Sequence, residues 1–462
     1  MKILLNDNGN LYGMDRGHVA VDPLNSVTRE PFREILRDPY QHFFKIPFSS
    51  INYNIDGEVR ARFSAHPSSF YPGSPFDTFK AVRVFLQEQR VILPRMYIYP
   101  TSVCNSNCLI CQFNFRRTSP CHIPWELLRT AIERFKENAK DIRTPSLIIS
   151  GDGEPTLYPN FHNLLSLAGE FGIRVFLTTN WILTNKGKID CINAVAQYAT
   201  MITISIKGIN KAAYDKYQGL HSGSTFGKVI RNIENLIERL NRFGRRSDVL
   251  VGVASLILPE NTPSYIKMIK YFSSLGVDYV YFNLVEPSYH QWGISFTEEE
   301  VRITRDIISE LPNIETNDTV VRYPLDPFNL IRETVYYDAQ NRTKKDVCGS
   351  ALWNPIIIPS EGDGILLSCR NSDNFNQPSF WYCDTLKDFS IEKRMGADAQ
   401  ERVMKATQEC RRCRLERQVK MFDQLIDIDS RYHCKGRFML EFDITKLANR
   451  KSGRAIAFED TL

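Results

Sequence analysis

Between about residues 96 and 311, short apolar β-branched runs alternate with stretches whose apolar residues recur at helical spacing, and six such units can be counted. The runs at 96–101, 146–150, 173–178, 201–205, 249–257 and 279–283 predict strands. The clearest helix is expected at 226–243, where Val229, Ile233, Leu236 and Leu240 form one apolar stripe. Another is expected at 124–135: Pro124 stands at the permitted first position, and Trp125, Leu128, Ile132 and Phe135 share a side. Alternating βα units predict an α/β fold around a parallel sheet, open or closed into a barrel. Polar or Gly-rich residues follow nearly every predicted strand: the loop around Cys104, then 151–154, Thr179 and Asn180, Lys207 and Gly208, Glu260 and Asn261, and Glu286. In parallel barrels the loops after the strand C-termini build the active site, so these positions belong to the working face.

The flanks read differently. Residues 1–94 form a region of their own, rich in aromatics and punctuated by Pro and Gly. One helix is signalled there by Ser74 as N-cap, Pro75 at the first position, and Phe76, Phe79, Val82 and Leu86 along one face. A barrel-capping or substrate-contacting extension and a plain packing adjunct are both open for this region. Residues 95–315 are the βα region, 316–440 a small Cys-rich region, and 441–462 a tail.

Length and composition narrow the class without deciding it. The 462 residues suggest two or three domains, and 43% hydrophobic with 24% charged residues is ordinary for a globular chain. A net charge of +5, with Arg pairs scattered at Arg116/Arg117, Arg245/Arg246 and Arg411/Arg412, argues for solvated faces rather than a nucleic-acid stripe. The apolar run at the start is too short for a signal peptide, and no stretch approaches membrane-spanning length, so a cytoplasmic location is expected. In that compartment the 11 Cys read as thiolate ligands more readily than as disulfides.

The strongest chemical signal is Cys104, Cys108 and Cys111 in one loop after the first predicted strand. A four-iron cubane takes one ligand per iron, so three close thiolates leave one iron open to another ligand. A zinc site or three unrelated buried thiols are the competing readings; zinc sites usually add a second Cys pair or His residues, and His122 is the only candidate nearby.

With this loop after the first of six βα units, residues 96–311 resemble the radical S-adenosylmethionine (SAM) superfamily, which implies a partial (β/α)6 barrel, a 4Fe-4S cluster on the three Cys, and SAM at the open iron. The segment Gly151-Asp152-Gly153-Glu154 after the second strand is similar to the family's Gly-Gly-Glu motif; the resemblance implies that Glu154 receives the SAM amino group. Ser205-Ile206-Lys207-Gly208, Tyr214, Gln218-Gly219 and the long helix from Phe226 are similar to the SPASM/twitch branch. That likeness puts Ser205 near the SAM carboxylate or ribose, Ile110 near the adenine through its backbone, and Asn180 among the cofactor-binding residues. Lys207 stands where Asp is usual and Gln218 where Arg is usual; Ile110 replaces an aromatic, so no stacking on adenine is implied.

A second Cys set follows the same branch. Cys348 and Cys369 are separated by 20 residues with Gly364 ahead of Cys369, and Cys410 and Cys413 form a Cys-x2-Cys pair. The resemblance implies a twitch-like domain at 316–440 holding an auxiliary 4Fe-4S cluster; four thiolates also suit zinc. Cys121, Cys191, Cys383 and Cys434 remain, each most simply a small buried hydrophobe. One of them could serve as the hydrogen donor of an epimerase, and Cys383 or Cys434 could enter the auxiliary set. Glu286 and His290, after the sixth strand, could face a substrate.

The activity implied is reductive cleavage of SAM to a 5'-deoxyadenosyl radical and hydrogen abstraction from a small metabolite, giving an oxidised product with the auxiliary cluster's help. Maturation of a ribosomal peptide, epimerisation, and a non-catalytic metal-stabilised binding protein are the alternatives. A reducing protein such as a flavodoxin or ferredoxin is the partner implied, with neither a membrane nor a nucleic acid.

Overall fold

The computed structural model describes residues 90–111, 120–142, 145–183, 187–218, 225–283, 285 and 293–311. It also describes residues 81, 84 and 88 and the shorter segments 2–6, 11–14, 48–53, 59–64, 314, 316, 319–324, 337–338, 355–367, 381–383, 386–388, 412–413, 438–443 and 456–458. Six strands, β1 (Arg95–Ile98), β2 (Ser146–Ile149), β3 (Arg174–Thr179), β4 (Met201–Ser205), β5 (Leu250–Leu256) and β6 (Tyr279–Asn283), lie side by side in chain order, every pair parallel. Each parallel step needs a crossover, and helices supply it: α1 (Trp125–Asn138), α2 (Phe161–Glu170), α3 (Lys188–Tyr198), α4 (Lys211–Gln218), α5 (Phe226–Arg242), α6 (Tyr265–Ser274) and α7 (Glu298–Glu310).

Period-two alternation sends successive side chains to opposite faces of this sheet. Met96, Ile98, Leu147, Ile149, Val175, Leu177, Val251 and Val253 pack toward the helices. Tyr97, Tyr99, Ile148, Phe176, Met201 and Tyr279 form a second cluster on the opposite face. Burial on both faces explains why the strands read as almost continuous apolar runs. The α5 stripe of Val229, Ile233, Leu236 and Leu240 is fully buried, and each such side chain contributes about 1.5–3 kcal/mol.

The sheet extends beyond the six expected strands to eleven. β7 (Val320–Pro324) adds in parallel to β6, and β8 (Ile356–Ser360) adds in parallel to β1. β9 (Asp363–Leu367) and β10 (Trp381–Cys383) continue antiparallel from β8, and β11 (Ile456–Phe458) pairs in parallel with β7. Ile356 and Ile358 of β8 complete the second cluster. Within that cluster Gly252 faces Tyr279 so closely that an added Cβ would come within 1.9 Å of the ring, while the Tyr279 hydroxyl meets Thr203 Oγ1 at 2.6 Å.

A separate five-stranded sheet joins Leu11–Met14, Lys2–Asn6, Phe438–Asp443, Val59–Ser64 and Phe48–Tyr53, in that order. Of the helix expected at 75–86, Ala81 and Val84 are described and both are helical; Ser74 and Pro75 lie outside the described residues. Among the described residues no helix is long and apolar enough to cross a membrane.

Candidate functional site

The three Cys follow β1 directly, at the C-terminal end of the parallel sheet. Residues 101–103 carry the chain out of β1 under two constraints. Thr101 forms a β-bridge with His122, and Ser102 N–H donates to the Cys121 carbonyl at 2.9 Å. On the other side, Gly153 N–H donates to the Thr101 carbonyl at 2.9 Å and Glu154 N–H to the Val103 carbonyl at 2.8 Å. This approach is what requires glycine: a Cβ on Gly153 would stand 2.2 Å from the Val103 oxygen, and one on Gly151 would stand 2.0 Å from the Gly153 oxygen. The two Gly of the 151–154 turn thus seat it against the strand leading into the Cys loop.

Cys108 is buried, while Cys104 and Cys111 are half-buried, and none is in a disulfide. Ser106 N–H points at Cys104 Sγ at 3.4 Å, Cys111 N–H donates to the Cys108 carbonyl at 3.2 Å, and Leu109 N–H reaches across to the Tyr217 carbonyl of α4 at 3.1 Å. Ile110 is buried with Tyr217, Leu256, Leu258, Val285 and Ile294. The loop is therefore anchored both to the turn after β2 and to α4. Among the described residues no three His, Cys, Asp or Glu side chains converge on the space of one ion. A cubane asks for something else, one thiolate per corner iron, and three Cys outside any disulfide on one loop match that donor set.

Glu154 is the hub of the first three loops. Its Oε1 accepts from Thr156 N–H at 3.1 Å, Thr156 Oγ1 at 2.8 Å and Thr179 Oγ1 at 2.5 Å, and its Oε2 accepts from Asn180 N–H at 2.7 Å. Burial pushes its carboxyl above the ordinary range, and the bonds from Thr179, Asn180 and Thr156 pull the other way by less. Asp152 beside it is also buried. The Asn180 carboxamide then spans the gap to the Cys loop, donating to Asn105 Oδ1 at 2.8 Å and Ser106 Oγ at 3.2 Å. Trp181, fully buried, is held at φ 55°, the only non-Gly residue with positive φ among those described. Its N–H donates to Thr179 Oγ1 at 2.9 Å and its carbonyl accepts from Asn232 of α5 at 3.0 Å.

Ser205 ends β4, half-buried, with Ala254 of β5 as its register partner. Beyond it a second hub ties the later loops: Asn261 Oδ1 accepts from Ile209 N–H at 3.0 Å, and its Nδ2 donates to the carbonyls of Lys207 and Leu256, both at 3.0 Å. Lys207 N–H in turn donates to the buried Gln218 Oε1 at 3.3 Å, so the two departures from the branch pattern meet each other. Glu260 accepts from Lys216 and, at 2.6 Å, from the Tyr217 hydroxyl.

The structure brings Cys104, Gly151, Asp152, Gly153, Glu154 and Asn180 into one hydrogen-bonded neighbourhood, with Ile110 on the far wall and Ser205 on the next strand. Asn105, Ser106, Thr156 and Asn232 belong to the same network and were not singled out as site residues, while Thr179 was expected at the working face. Cys348, Cys369, Cys410 and Cys434 lie outside the described residues, as do Glu286 and His290; of Cys383 and Cys413 only the strand backbone is described. Cys121 sits beside the loop entrance, its N–H donating to Ser102 Oγ at 2.8 Å. Cys191 on α3 is pushed up to about 11, chiefly by burial, so it stays a protonated thiol at neutral pH.

Residues 98–272 match the Radical SAM superfamily. Over 195 residues the chain is 27% identical to the AdoMet-dependent heme synthase of Methanosarcina barkeri, covering 42% of this chain and 51% of that protein; the chain thus spans about half the length of the curated relative it matches. SuiB of Streptococcus suis bound to precursor peptide SuiA superposes with a TM-score of 0.50 at 16% identity, covering 70% of this chain and 69% of SuiB, a likeness of fold. The structure of anSMEcpe with bound AdoMet superposes with a TM-score of 0.49 at 17% identity, covering 73% of this chain and 96% of that one.

Proposed function

We propose, from the radical SAM domain that this chain carries over residues 98–272, that the protein is a radical SAM enzyme acting on a small metabolite and releasing an oxidised product. The observation that carries the reading is the trio Cys104, Cys108 and Cys111, none in a disulfide, on one loop pinned to the loop after β2 and to α4. These residues would hold a 4Fe-4S cluster, with SAM bound by the 151–154 turn, Asn180, Ser205 and the Ile110 backbone. Bound together, cluster and SAM supply a reductively generated 5'-deoxyadenosyl radical able to take hydrogen from an unactivated carbon.

The chain's own residues do the rest. Gly151 and Gly153 let the turn close on the loop, and the network around Glu154 fixes that arrangement before any ligand arrives, the kind of preorganisation that avoids reordering during reaction. Among the described residues Glu154 Oε2 accepts from a single donor, which leaves capacity for an ammonium group. Cys348, Cys369, Cys410 and Cys413 would hold the auxiliary cluster of a SPASM/twitch domain, and a flavodoxin or ferredoxin would supply electrons in the cytoplasm.

Anaerobic reconstitution should yield about four irons on the first loop and about eight with the auxiliary set, counting cubanes. Under reduction the protein should form 5'-deoxyadenosine from SAM, and Cys108→Ala should abolish it. Zinc content without SAM turnover would overturn the reading in favour of a metal-stabilised binding protein. Deuterium passing from labelled candidate substrates into 5'-deoxyadenosine identifies the substrate and separates a metabolite from a peptide.

A further inference from the structure

The orientation of the Asn180 carboxamide is settled by its neighbours. Its Oδ1 accepts the Ile182 N–H at 2.8 Å, so the Nδ2 hydrogens must face the opposite way, into the Cys loop. There they meet Asn105 Oδ1 at 2.8 Å, Ser106 Oγ at 3.2 Å and, at 4.0 Å, Cys104 Sγ. Asn105 answers by donating from its own Nδ2 to the Ile182 carbonyl at 2.7 Å. The two loops are thus clasped in both directions.

The clasp is rigid for a reason that begins one residue later. A left-handed Trp is costly, by about 1–3 kcal/mol, and persists only where surrounding contacts over-determine it. Here Thr179 Oγ1 and Asn232 hold the Trp181 N–H and carbonyl, while Glu154 Oε2 holds the Asn180 N–H. Asn180 is 8% exposed, so water competes little for its amide. Cys104 Sγ thus receives the Ser106 N–H at 3.4 Å and shares, at 4.0 Å, one of the two Asn180 amide hydrogens with the nearer oxygen acceptors.

We propose that Asn180 is a positioning residue for Cys104, clasping the first ligand loop and stabilising negative charge on its sulfur so that the cluster is easier to reduce. The inference rests on the radical SAM reading and adds to it a role of Asn180 toward the thiolate, beside the one toward SAM. Hydrogen bonds to ligand sulfurs are among the factors that set iron-sulfur potentials, because an N–H dipole favours the more negative, reduced state. Deleting the donor should therefore lower the potential.

The test is an EPR-monitored redox titration of the reconstituted full-length protein without SAM, comparing wild type with Asn180→Asp and Asn180→Ser. Asn180→Asp preserves shape while turning the donor into an acceptor. Its reduced-to-oxidised ratio at a fixed potential should fall about tenfold, equal to about 59 mV for a one-electron couple. Asn180→Ser, which cannot reach the sulfur, should shift the same way by less, and it separates loss of the donor from the added carboxylate charge. Iron content and circular dichroism matching wild type, with midpoints unchanged in both variants, would overturn the inference alone. Wild-type protein that forms no reducible cluster would instead bring down the radical SAM reading itself.

Discussion

The two halves of the barrel mouth are knotted by different chemistry. The loops after β2 and β3 gather around a carboxyl group, Glu154, which takes four donors among the described residues, and the loop after β1 joins them through Val103 and Asn180. The loops after β4 and β5 gather around a carboxamide, Asn261, which accepts one N–H and donates to two carbonyls. A carboxylate only accepts, so every group facing it must be an N–H or O–H; an amide does both and stays neutral at any pH. The half that bears the thiols is therefore organised around a buried titratable group, and the other half is not.

The sharpest way to break this comparison is to remove each hub. Glu154→Ala leaves four buried donors without their acceptor and should cost roughly 3–5 kcal/mol, because each stranded buried donor is penalised. Asn261→Ala strands one N–H and two carbonyls without a charge, and roughly 2–3 kcal/mol is expected. Urea titrations of the two variants compare them directly. Iron reconstitution should fail in Glu154→Ala and survive in Asn261→Ala, and equal losses of both stability and iron would show that the halves are not distinct.

Much of the scaffold beneath these hubs was legible in the sequence, for physical reasons. Strands buried on both faces leave continuous apolar runs, and α5 leaves its stripe, so all six βα units could be placed. β8 could not be assigned to the sheet, since its pairing with β1 joins Ile356 to Tyr97, a match that only the closed fold creates. Gly252 did carry a signal, a glycine within a strand where another side chain comes close, and Tyr279 is what it admits. Trp181 carried none, because a bulky residue announces no left-handed turn. Glu154 was picked out by motif, but its partners Thr179 and Asn180 stand one βα unit away, and nothing local marks Asn105 or Ser106 as reaching Asn180.

A pH series sharpens the contrast between two carboxylates. Burial raises Glu154 above its ordinary value of 4.5, so its contribution to stability is full below that value and is lost as pH climbs through the raised one. Glu260 is also pushed up by burial, but the bonds from Lys216 and Tyr217 and the Lys216 charge outweigh that and leave it below 4.5. Its contribution is present above 4.5 and is lost as pH falls through the lowered value. Urea midpoints of the metal-free protein between about pH 3 and pH 7 should show opposite changes of slope relative to wild type in Glu154→Gln and Glu260→Gln. Slopes that change in the same direction would mean that Glu154 and Glu260 are not shifted in opposite senses, and the contrast between the two carboxyl groups would fail.

The smallest effect expected is that of Tyr217→Phe. The hydroxyl donates to Glu260 at 2.6 Å, yet the Glu260 side chain keeps 32% exposure, so water can replace the lost donor. The ring stays packed with Ile110, Leu256 and Leu258, and the Tyr217 carbonyl still receives Leu109 N–H. Stability should fall by only about 0.5–1.5 kcal/mol, the net worth of one hydrogen bond. Glu260 should titrate closer to its ordinary value, and 5'-deoxyadenosine formation should stay near wild type, because the backbone, not the hydroxyl, anchors the Cys loop on this side. A loss as large as that of Asn261→Ala would place the Tyr217–Glu260 pair beside Asn261 as a second knot of the later half, and that half would then depend on a carboxylate too.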